Sequence, residues 1–255
     1  MRQVRGGAIL RLLSYNIRYG GTGREEALAA VVRSCAPDLV VLQEATRPAV
    51  VARLAQATGM TTWGARPDHS LGFMSRLEVA AHQWHRPPEL RRAFLELEMR
   101  GGLRVFGVHL SAIHSDWNER RRLRELRALL AAIKQHQDGF HVMTGDFNTL
   151  APGEELDMRR LPRRLKVLAW LGGRRIRWQT VQALLDARYL DGFRALHASE
   201  AGFTFPTWDP HVRLDYVFVP AAGAARLKEC RVVGGDGPGA AASDHLPLLA
   251  ELETA

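Results

Sequence analysis

Short apolar runs recur along this chain, and most of them are bounded by glycine, proline or aspartate. Several are rich in β-branched and aromatic residues, a composition typical of strands. The predicted strands are RLLSYNI (11–17), DLVVLQE (38–44), LGFMSR (71–76), AFLELEM (93–99), LRVFGVHL (103–110), FHVMTGDFN (140–148), RLDYVFV (213–219) and HLPLLAEL (245–252). Arg100, Gly101 and Gly102 alone separate the fourth run from the fifth, and this spacing predicts a β-hairpin.

Helical patterns lie between these strands. Segment 24–38 is rich in alanine, and the helix predicted there stops at Pro37. Segment 115–135 begins with a serine or aspartate N-cap and carries apolar residues near every third or fourth position. Segment 180–190 predicts a third helix. Because no repeat, low-complexity tract or linker interrupts the alternation, the sequence predicts a single α/β domain over residues 1–255.

Polar side chains stand where the predicted strands end or begin. Four strands end in polar residues and two begin with them. The residues are Asn16, Glu44, His109, Asp146 and Asn148 at strand ends, and Asp215, Asp244 and His245 at strand starts. If the last two strands run antiparallel to the first four, all eight collect at one edge of the sheet system. Ligand sites favour such an edge, because side chains leave a rigid scaffold there.

Each of these residues alone also fits an ordinary structural role. Glu44 fits a turn cap, and Asp146 and Asn148 fit a turn stabilised by their own side chains. Asp215 fits an ion pair with Arg213. Their joint occurrence at strand boundaries is harder to explain by turns, and it favours a binding or catalytic site.

The composition excludes several classes of protein. Hydrophobic residues make up 46% of the chain and charged residues 24%, as in an ordinary globular protein. No run of about 18 apolar residues predicts a transmembrane helix, and the N-terminal apolar run is too short for a secretory signal. Cys35 and Cys230 are far apart and lack the spacing of a metal site. Free thiols in a cytoplasmic protein are therefore expected, with a single disulfide as the alternative.

The net charge of +8 is concentrated in one segment. Residues 158–178 contain eight arginines or lysines and no acid, so the rest of the chain holds 27 basic and 27 acidic residues. The pattern of leucines within this segment predicts an amphipathic helix, part of a basic helical insert at about 151–190. A solvated helix that packs its leucines on the domain is one interpretation. A contact with a phosphate backbone or acidic substrate and an interfacial membrane helix are the others.

Several motifs together resemble a known family. The pieces SYNIRYG, LQE, LGFMSR, VHL with an arginine-rich helix, TGDFN, RLDYVFV and SDHLPLLAEL occur in order over residues 12–252. They are similar to motifs of the endonuclease/exonuclease/phosphatase superfamily, the metal-dependent phosphoesterases related to DNase I. The resemblance implies a four-layer α/β sandwich, with two packed mixed β-sheets flanked by helices. It also implies hydrolysis of phosphate esters.

The resemblance implies a metal site as well. Glu44 is the first-choice ligand, Asp244 the second, and Asn16 contributes through its amide oxygen or a bridging water. Mg²⁺ prefers such oxygen ligands, and Mn²⁺ is the alternative. The absence of clustered cysteines and of an HExxH motif disfavours zinc.

The same resemblance assigns catalytic roles. Asp215 would orient His245, as an aspartate orients the histidine of a serine-protease triad. Asp146 would orient or deprotonate the attacking water, and Asn148 would donate to the phosphate. His109 would contact a non-bridging oxygen or protonate the leaving group. Whether Asp146 or His245 is the formal base stays open at this stage.

Two further residues are expected to bind substrate. Arg76 either binds a phosphate or pairs structurally, and Trp208 either stacks on the substrate or packs a turn. The function expected is that of a metal-dependent phosphodiesterase, either a nuclease or a phospholipid head-group enzyme. A non-catalytic family member that binds nucleic acid or protein is the alternative. The expected partners are a phosphate-ester substrate, with nucleic acid and an anionic lipid surface as its candidate forms, and the chain is expected to be a monomer.

Overall fold

Two six-stranded sheets form the centre of the computed structural model, which describes residues 7–112, 116–154, 157, 159–160, 178–234 and 242–254. The first sheet has the order β11-β12-β1-β2-β4-β3. Its strands are β1 (Ile9–Asn16), β2 (Leu39–Gln43), β3 (Thr62–Ala65), β4 (Leu71–Ser75), β11 (Leu227–Val232) and β12 (Leu248–Glu253). The pair β1–β2 is parallel and the other pairs are antiparallel, so the sheet is mixed.

The second sheet has the order β5-β6-β7-β8-β10-β9 and is also mixed, because only its β7–β8 pair is parallel. Its strands are β5 (Val79–His85), β6 (Phe94–Met99), β7 (Arg104–His109), β8 (His141–Asp146), β9 (Tyr189–Asp191) and β10 (Asp215–Pro220). The helices are α1 (Glu25–Cys35), α2 (Pro48–Thr58), α3 (Asp116–Ala132), α4 (Gln179–Asp186) and the short α5 (Gly192–Leu196).

Three apolar layers hold the four-layer sandwich together. The central layer lies between the sheets and includes Val41, Phe73 and Val105. A second layer packs the first sheet against α1 and α2, and a third packs the second sheet against α3 and α4. Both faces of the inner strands are therefore buried, which explains why these strands appear in the sequence as continuous apolar runs. The predicted sandwich fold is confirmed.

Several predicted elements match the structure closely. The hairpin turns at Gly101 and Gly102, whose φ values of 96° and 87° favour glycine. Strands β10 and β12 run antiparallel to β8 and β1, as the edge prediction required. Within the described residues, none of the helices is long and apolar enough to cross a membrane.

Other predictions need correction. The last strand begins at Leu248 and not at His245, so Asp244 and His245 lie in the loop that precedes it. The predicted helix 180–190 ends at Asp186, and Tyr189–Asp191 forms edge strand β9. Helix α2 and strands β3, β5 and β11 were not predicted. The predicted basic helix within 158–178 lies outside the described residues, apart from Arg159, Arg160 and Trp178.

Candidate active site

The strand ends meet at one edge of the sandwich. Parallel pairing sets Asn16 opposite Gln43, and Glu44 follows directly. In the second sheet, Asp146 lies opposite His109 on one side and opposite Asp215 on the other. The two sheets are joined at this edge, because the Asn16 side-chain amide donates to Asp146 Oδ2 at 3.0 Å.

Glycine at position 145 makes this arrangement sterically feasible. Gly145 has a φ of 145°, and a Cβ there would lie 1.9 Å from the Val108 carbonyl oxygen. A larger residue would therefore push β8 away from β7 just before Asp146. The glycine of the GDFN motif thus allows the close strand pairing that presents the carboxylate.

Asp146 lies at the centre of the site. Its Oδ2 accepts from Asn16, and its Oδ1 accepts from the Asn148 backbone amide at 2.9 Å. The Nε2 atoms of His109 and His245 lie 3.8 and 3.9 Å from Oδ2. Burial raises the pKa of Asp146 to about 7, since desolvation opposes ionisation more strongly than the neighbouring His245 favours it.

His245 is held by a carboxylate partner. Its Nδ1 lies 2.8 Å from Asp215 Oδ2, and both side chains are buried. Burial alone would lower the pKa of His245, but the charge and hydrogen bond of Asp215 raise it to about 10. His245 is therefore an imidazolium at neutral pH, with both ring nitrogens protonated. Asp215 is consequently not the partner of Arg213, which instead binds Asp191.

His109 has the opposite charge state. Burial, followed by the charges of Arg92 and His245, lowers its pKa well below the ordinary value. At neutral pH the ring is uncharged. Its Nδ1 is buried and has no hydrogen-bond partner among the described residues, while Nε2 faces Asp146.

Glu44 and Asp244 lie at the half-buried rim of the same edge. Glu44 has a φ of 57°, and its Oε2 accepts from the Tyr19 backbone amide at 2.5 Å. Asp244 Oδ2 lies 3.3 Å from Arg18 Nε. The Asn16 amide oxygen accepts from the Arg18 backbone amide at 3.0 Å and keeps a second lone pair.

Two sets of residues could hold a cation. Ligand atoms of Asp146, Asp215 and His245 lie within 4.8 Å of one another. However, Asp215 Oδ2 and His245 Nδ1 are already engaged with each other at 2.8 Å. The oxygen atoms of Glu44 and Asp244 are the better donors for a hard divalent ion. The predicted ligands therefore fit such an ion chemically.

Arg76 is not part of the site. β2 and β4 are antiparallel, with Gln43 opposite Leu71 and Leu39 opposite Ser75, so Arg76 lies at the far end of the sheet from Glu44. Its guanidinium donates to the carbonyl oxygens of Pro37 and Thr58 at 3.2 and 2.7 Å. This position favours the structural alternative for Arg76, which links the loop at Pro37 to the C-terminal end of α2.

Trp208 lies beside the site. Its ring is 6.4 Å from that of Phe205, and the Phe205 ring is 4.9 Å from that of His245. Trp208 is largely exposed, at 67%.

Arg92 is near the site but was not predicted. It lies just before β6, and its Nη1 donates to the Leu110 carbonyl oxygen at 2.9 Å. Glu44 and Asp146 both act electrostatically on its guanidinium. A signal was present in the sequence, because Arg92 directly precedes the run 93–99. The strand-boundary pattern that identified Asp215 also applies to it.

Solved structures with the same fold are numerous. One is an AP endonuclease from Archaeoglobus fulgidus, with 17% identity, a TM-score of 0.71, and coverage of 94% of this chain and 98% of that one. Another is NExo from Neisseria, described as a 3′ phosphatase bound to a product DNA hairpin, with 21% identity, a TM-score of 0.68, and coverage of 95% and 99%. A humanized D. rerio TDP2 shows 20% identity, a TM-score of 0.68, and coverage of 96% and 99%.

At these identities the solved structures establish the fold alone. A comparison with curated proteins finds no match. The model of the Endonuclease/Exonuclease/phosphatase family, however, matches residues 13–245, a span that begins in β1 and ends at His245. The chain therefore belongs to the Endonuclease/Exonuclease/phosphatase family, whose members hydrolyse phosphodiesters and other phosphate esters.

Proposed function

We propose that this chain is a Mg²⁺-dependent phosphodiesterase in which Asp146 is the general base. His245 is its charge-stabilising imidazolium, and His109 is a neutral hydrogen-bond donor. One observation carries the proposal: Asp146 Oδ2 lies between two histidines, with the Nε2 atoms of His245 and His109 at 3.9 and 3.8 Å.

Asp146 has the properties of a general base. A base works best when its pKa lies near the operating pH, and the pKa of this carboxyl is raised to about 7. Hydrogen bonds from Asn16 and Asn148 fix its two oxygens before any substrate arrives. It is thus oriented to take a proton from the attacking water.

His245 is unsuited to the role of base at neutral pH, because its pKa of about 10 keeps it protonated. With Asp215 holding Nδ1, its Nε2–H is directed toward the Asp146 side of the site. It can donate to a phosphate oxygen and stabilise the negative charge that develops there.

His109 is unsuited to the role of acid, because its lowered pKa keeps the ring uncharged near neutral pH, and a neutral imidazole is a poor proton donor. Its Nε2 faces Asp146, so with the remaining ring proton on Nε2 this nitrogen would donate to a non-bridging phosphate oxygen. Asn148 would contribute a further donor from its side-chain amide. The hydrogen-bond donors of His245, His109 and Asn148 would therefore surround the phosphate of the substrate.

Glu44 and Asp244 would hold the divalent ion, with Asn16 beside them. A bound Mg²⁺, or Mn²⁺ in its place, would neutralise charge on the phosphate and assist the leaving oxygen. The exposed indole of Trp208 would contact a substrate group next to the scissile bond. Two substrate classes fit: nucleic acid, on which a structural relative described as a 3′ phosphatase with product DNA acts, and a phospholipid head group.

A metal-dependent activity panel on the purified protein tests the proposal. The substrates are plasmid DNA, an abasic oligonucleotide, phospholipid vesicles and a soluble chromogenic phosphodiester. Each is assayed with Mg²⁺, with Mn²⁺ and with EDTA, and the Asp146→Asn variant is the blank.

The expected result is hydrolysis of at least one diester that requires the metal and is lost in the blank. Activity that persists in EDTA, or is equal in the blank, contradicts the proposal. Binding of nucleic acid without turnover under every metal condition would support the non-catalytic alternative instead.

A further inference from the structure

Arg92 has an unusual position for a half-buried arginine. It lies just before β6, and its Nη1 donates to the carbonyl oxygen of Leu110, the residue after His109. We propose that Arg92 binds the substrate phosphate together with Asn148, as a paired donor site on the β7 side of the active centre. This inference rests on the proposed phosphodiesterase function, since the bound group is the phosphate of its substrate.

One carbonyl oxygen brings the two donors together. Leu110 O accepts from Arg92 Nη1 at 2.9 Å and from Asn148 Nδ2 at 3.2 Å. The Leu110 backbone amide donates to the Asp146 carbonyl at 3.0 Å, which fixes this peptide relative to the general base. Both nitrogens are thus held close to Asp146 by the backbone.

The contact with the Leu110 carbonyl oxygen leaves further N–H groups on both Arg92 and Asn148. The guanidinium has five N–H groups and the side-chain amide has two. Within the described chain, the Leu110 carbonyl is the one hydrogen-bond partner of each side chain. Further N–H groups of Arg92 and Asn148 are therefore free to bind the two non-bridging oxygens of a phosphodiester.

Arg92 differs from two other arginines near the site in the absence of an ion pair. Arg18 pairs with a carboxylate at 3.3 Å, and Arg213 pairs with carboxylates at 2.6 and 2.7 Å. Among the described residues, Arg92 has no carboxylate within ion-pair distance, although Asp146, Glu44 and Glu125 act on it electrostatically. No direct ion pair with a described residue therefore neutralises its guanidinium.

The partial burial of the Arg92 guanidinium strengthens its requirement for an anionic partner. A guanidinium that loses water without gaining an anion is destabilising, and a bidentate phosphate compensates for the lost hydration. Arg92 lines the same small cavity as His109 and Leu110. An arginine suits this position better than a lysine, because its planar fork matches two phosphate oxygens.

A purely structural role gives different expectations. If Arg92 only anchored the Leu110 carbonyl, its loss would lower the stability of the fold and would not change anion affinity selectively. The test therefore measures phosphate binding separately from turnover.

The experiment uses the full-length chain with Mg²⁺ and inorganic phosphate as the probe. Phosphate affinity is measured by calorimetry and by the phosphate-induced rise in the thermal unfolding midpoint. The variants are Arg92→Gln and Arg92→Lys. The matched control is Arg91→Gln, which removes the same charge from the exposed neighbouring residue. The inhibition constant of phosphate against the chromogenic diester is measured in parallel.

We expect Arg92→Gln to weaken phosphate binding about 10- to 100-fold, the range for lost charge-assisted hydrogen bonds. Arg92→Lys should retain part of the affinity, and Arg91→Gln should stay within about twofold because an exposed charge is screened. If Arg92→Gln does not fold, Arg92→Lys decides, with a loss of phosphate affinity at an unchanged unfolding midpoint.

Wild-type phosphate affinity in Arg92→Gln would overturn the inference, and so would an equal loss in Arg91→Gln. The results distinguish a failure of the Arg92 phosphate site from a failure of the proposed phosphodiesterase function. Phosphate binding that depends on Arg92 in a protein without hydrolytic activity would keep the anion site and refute the phosphodiesterase. Metal-dependent hydrolysis with phosphate binding independent of Arg92 would do the reverse.

Discussion

Two buried charge clusters lie side by side in the second sheet, and they are built differently. In one, Arg213 binds Asp191 through two hydrogen bonds of 2.9 and 2.7 Å and also binds Glu154 at 2.7 Å. In the other, Asp146 faces the Asp215–His245 pair, with contacts of 2.8 and 3.9 Å. Only one residue separates Arg213 from Asp215 in the chain.

The difference lies in how completely each cluster is satisfied. Every guanidinium nitrogen of Arg213 has a carboxylate partner, and the Tyr216 ring lies 4.5 Å from its centre. In the second cluster, Asp215 Oδ1 and His109 Nδ1 are buried without partners among the described residues. A satisfied network specifies structure, whereas unused buried groups and raised pKa values are typical of sites that act on a ligand.

The largest effect expected from this comparison is on turnover. Asp146→Asn removes the proposed general base and should lower kcat by at least about 10²–10⁴-fold, the usual contribution of such a group. Steady-state kinetics on the substrate found in the activity panel measures this. Near-wild-type turnover would remove Asp146 from the chemistry.

Asp146→Asn should also change how the stability of the fold depends on pH. The folded pKa of Asp146, about 7, lies above its ordinary value of 3.8. The folded state thus keeps a proton that the unfolded state has released, and this group destabilises the fold as pH rises between those values. Asp146→Asn should therefore become more stable relative to the wild type from about pH 4 to pH 7, as measured by urea unfolding. A constant difference across this range would contradict the raised pKa.

The second largest effect concerns the satisfied cluster. Arg213→Met leaves the buried Asp191 carboxylate without its ion-pair partner, and breaking a buried pair in this way costs about 3–5 kcal/mol of unfolding free energy. Glu154 keeps its ion pair with Arg194 at 3.1 Å. The folded variant should keep most of its kcat. As a control, Arg100→Met removes an arginine from an exposed pair and should cost less than about 1 kcal/mol. If Arg213→Met lost kcat without losing stability, the Arg213 cluster would be catalytic and not structural, which would contradict the comparison.

Much of the site could be predicted from the strand boundaries. Because β1, β2, β7 and β8 end at one edge, their terminal residues had to meet once the strand directions were known. The same reasoning placed Asp215 there, at the start of an antiparallel strand. The family resemblance then supplied chemical roles that position alone could not.

The sequence could not predict which polar residues pair with each other. Arg76 and Arg92 both flank apolar runs, yet one bonds two carbonyls at the far end of a sheet and the other borders the active centre. The partner of Arg213 was also beyond reach, because Asp191 lies on an edge strand that resembled the end of a helix. These outcomes depend on long-range packing and not on local pattern.

The next effect in size is on the pKa of His245, and it tests how Asp215 controls the protonation of this histidine. In Asp215→Asn the charge that raises the pKa of His245 is gone, and burial, which lowers it, should prevail. The pKa of His245 should fall from about 10 to below its ordinary value of 6.5. An NMR titration of the imidazole resonances measures the change. A pKa that stays high would mean that another charge, such as that of Asp146, protonates the ring.

The smallest effect concerns a buried histidine with neutral partners. His141 Nδ1 lies 2.9 Å from the Gly139 carbonyl oxygen, and its Nε2 lies 2.7 Å from the Tyr189 hydroxyl. Burial lowers the pKa of His141, so its stabilising contribution is present above about pH 6.5 and is lost as pH falls. The advantage of the wild type over His141→Gln in unfolding free energy should therefore shrink between about pH 7.5 and pH 5.

Tyr189→Phe is the matched control for this histidine. It removes only the hydroxyl, and it should cost about 1 kcal/mol while keeping the pH dependence of the wild type. If His141→Gln instead showed the wild-type pH dependence, the histidine would not be the group that titrates. The contrast with His245 would then fail. The expected result supports that contrast: a neutral partner leaves burial in control of the imidazole pKa, and a carboxylate overrides it.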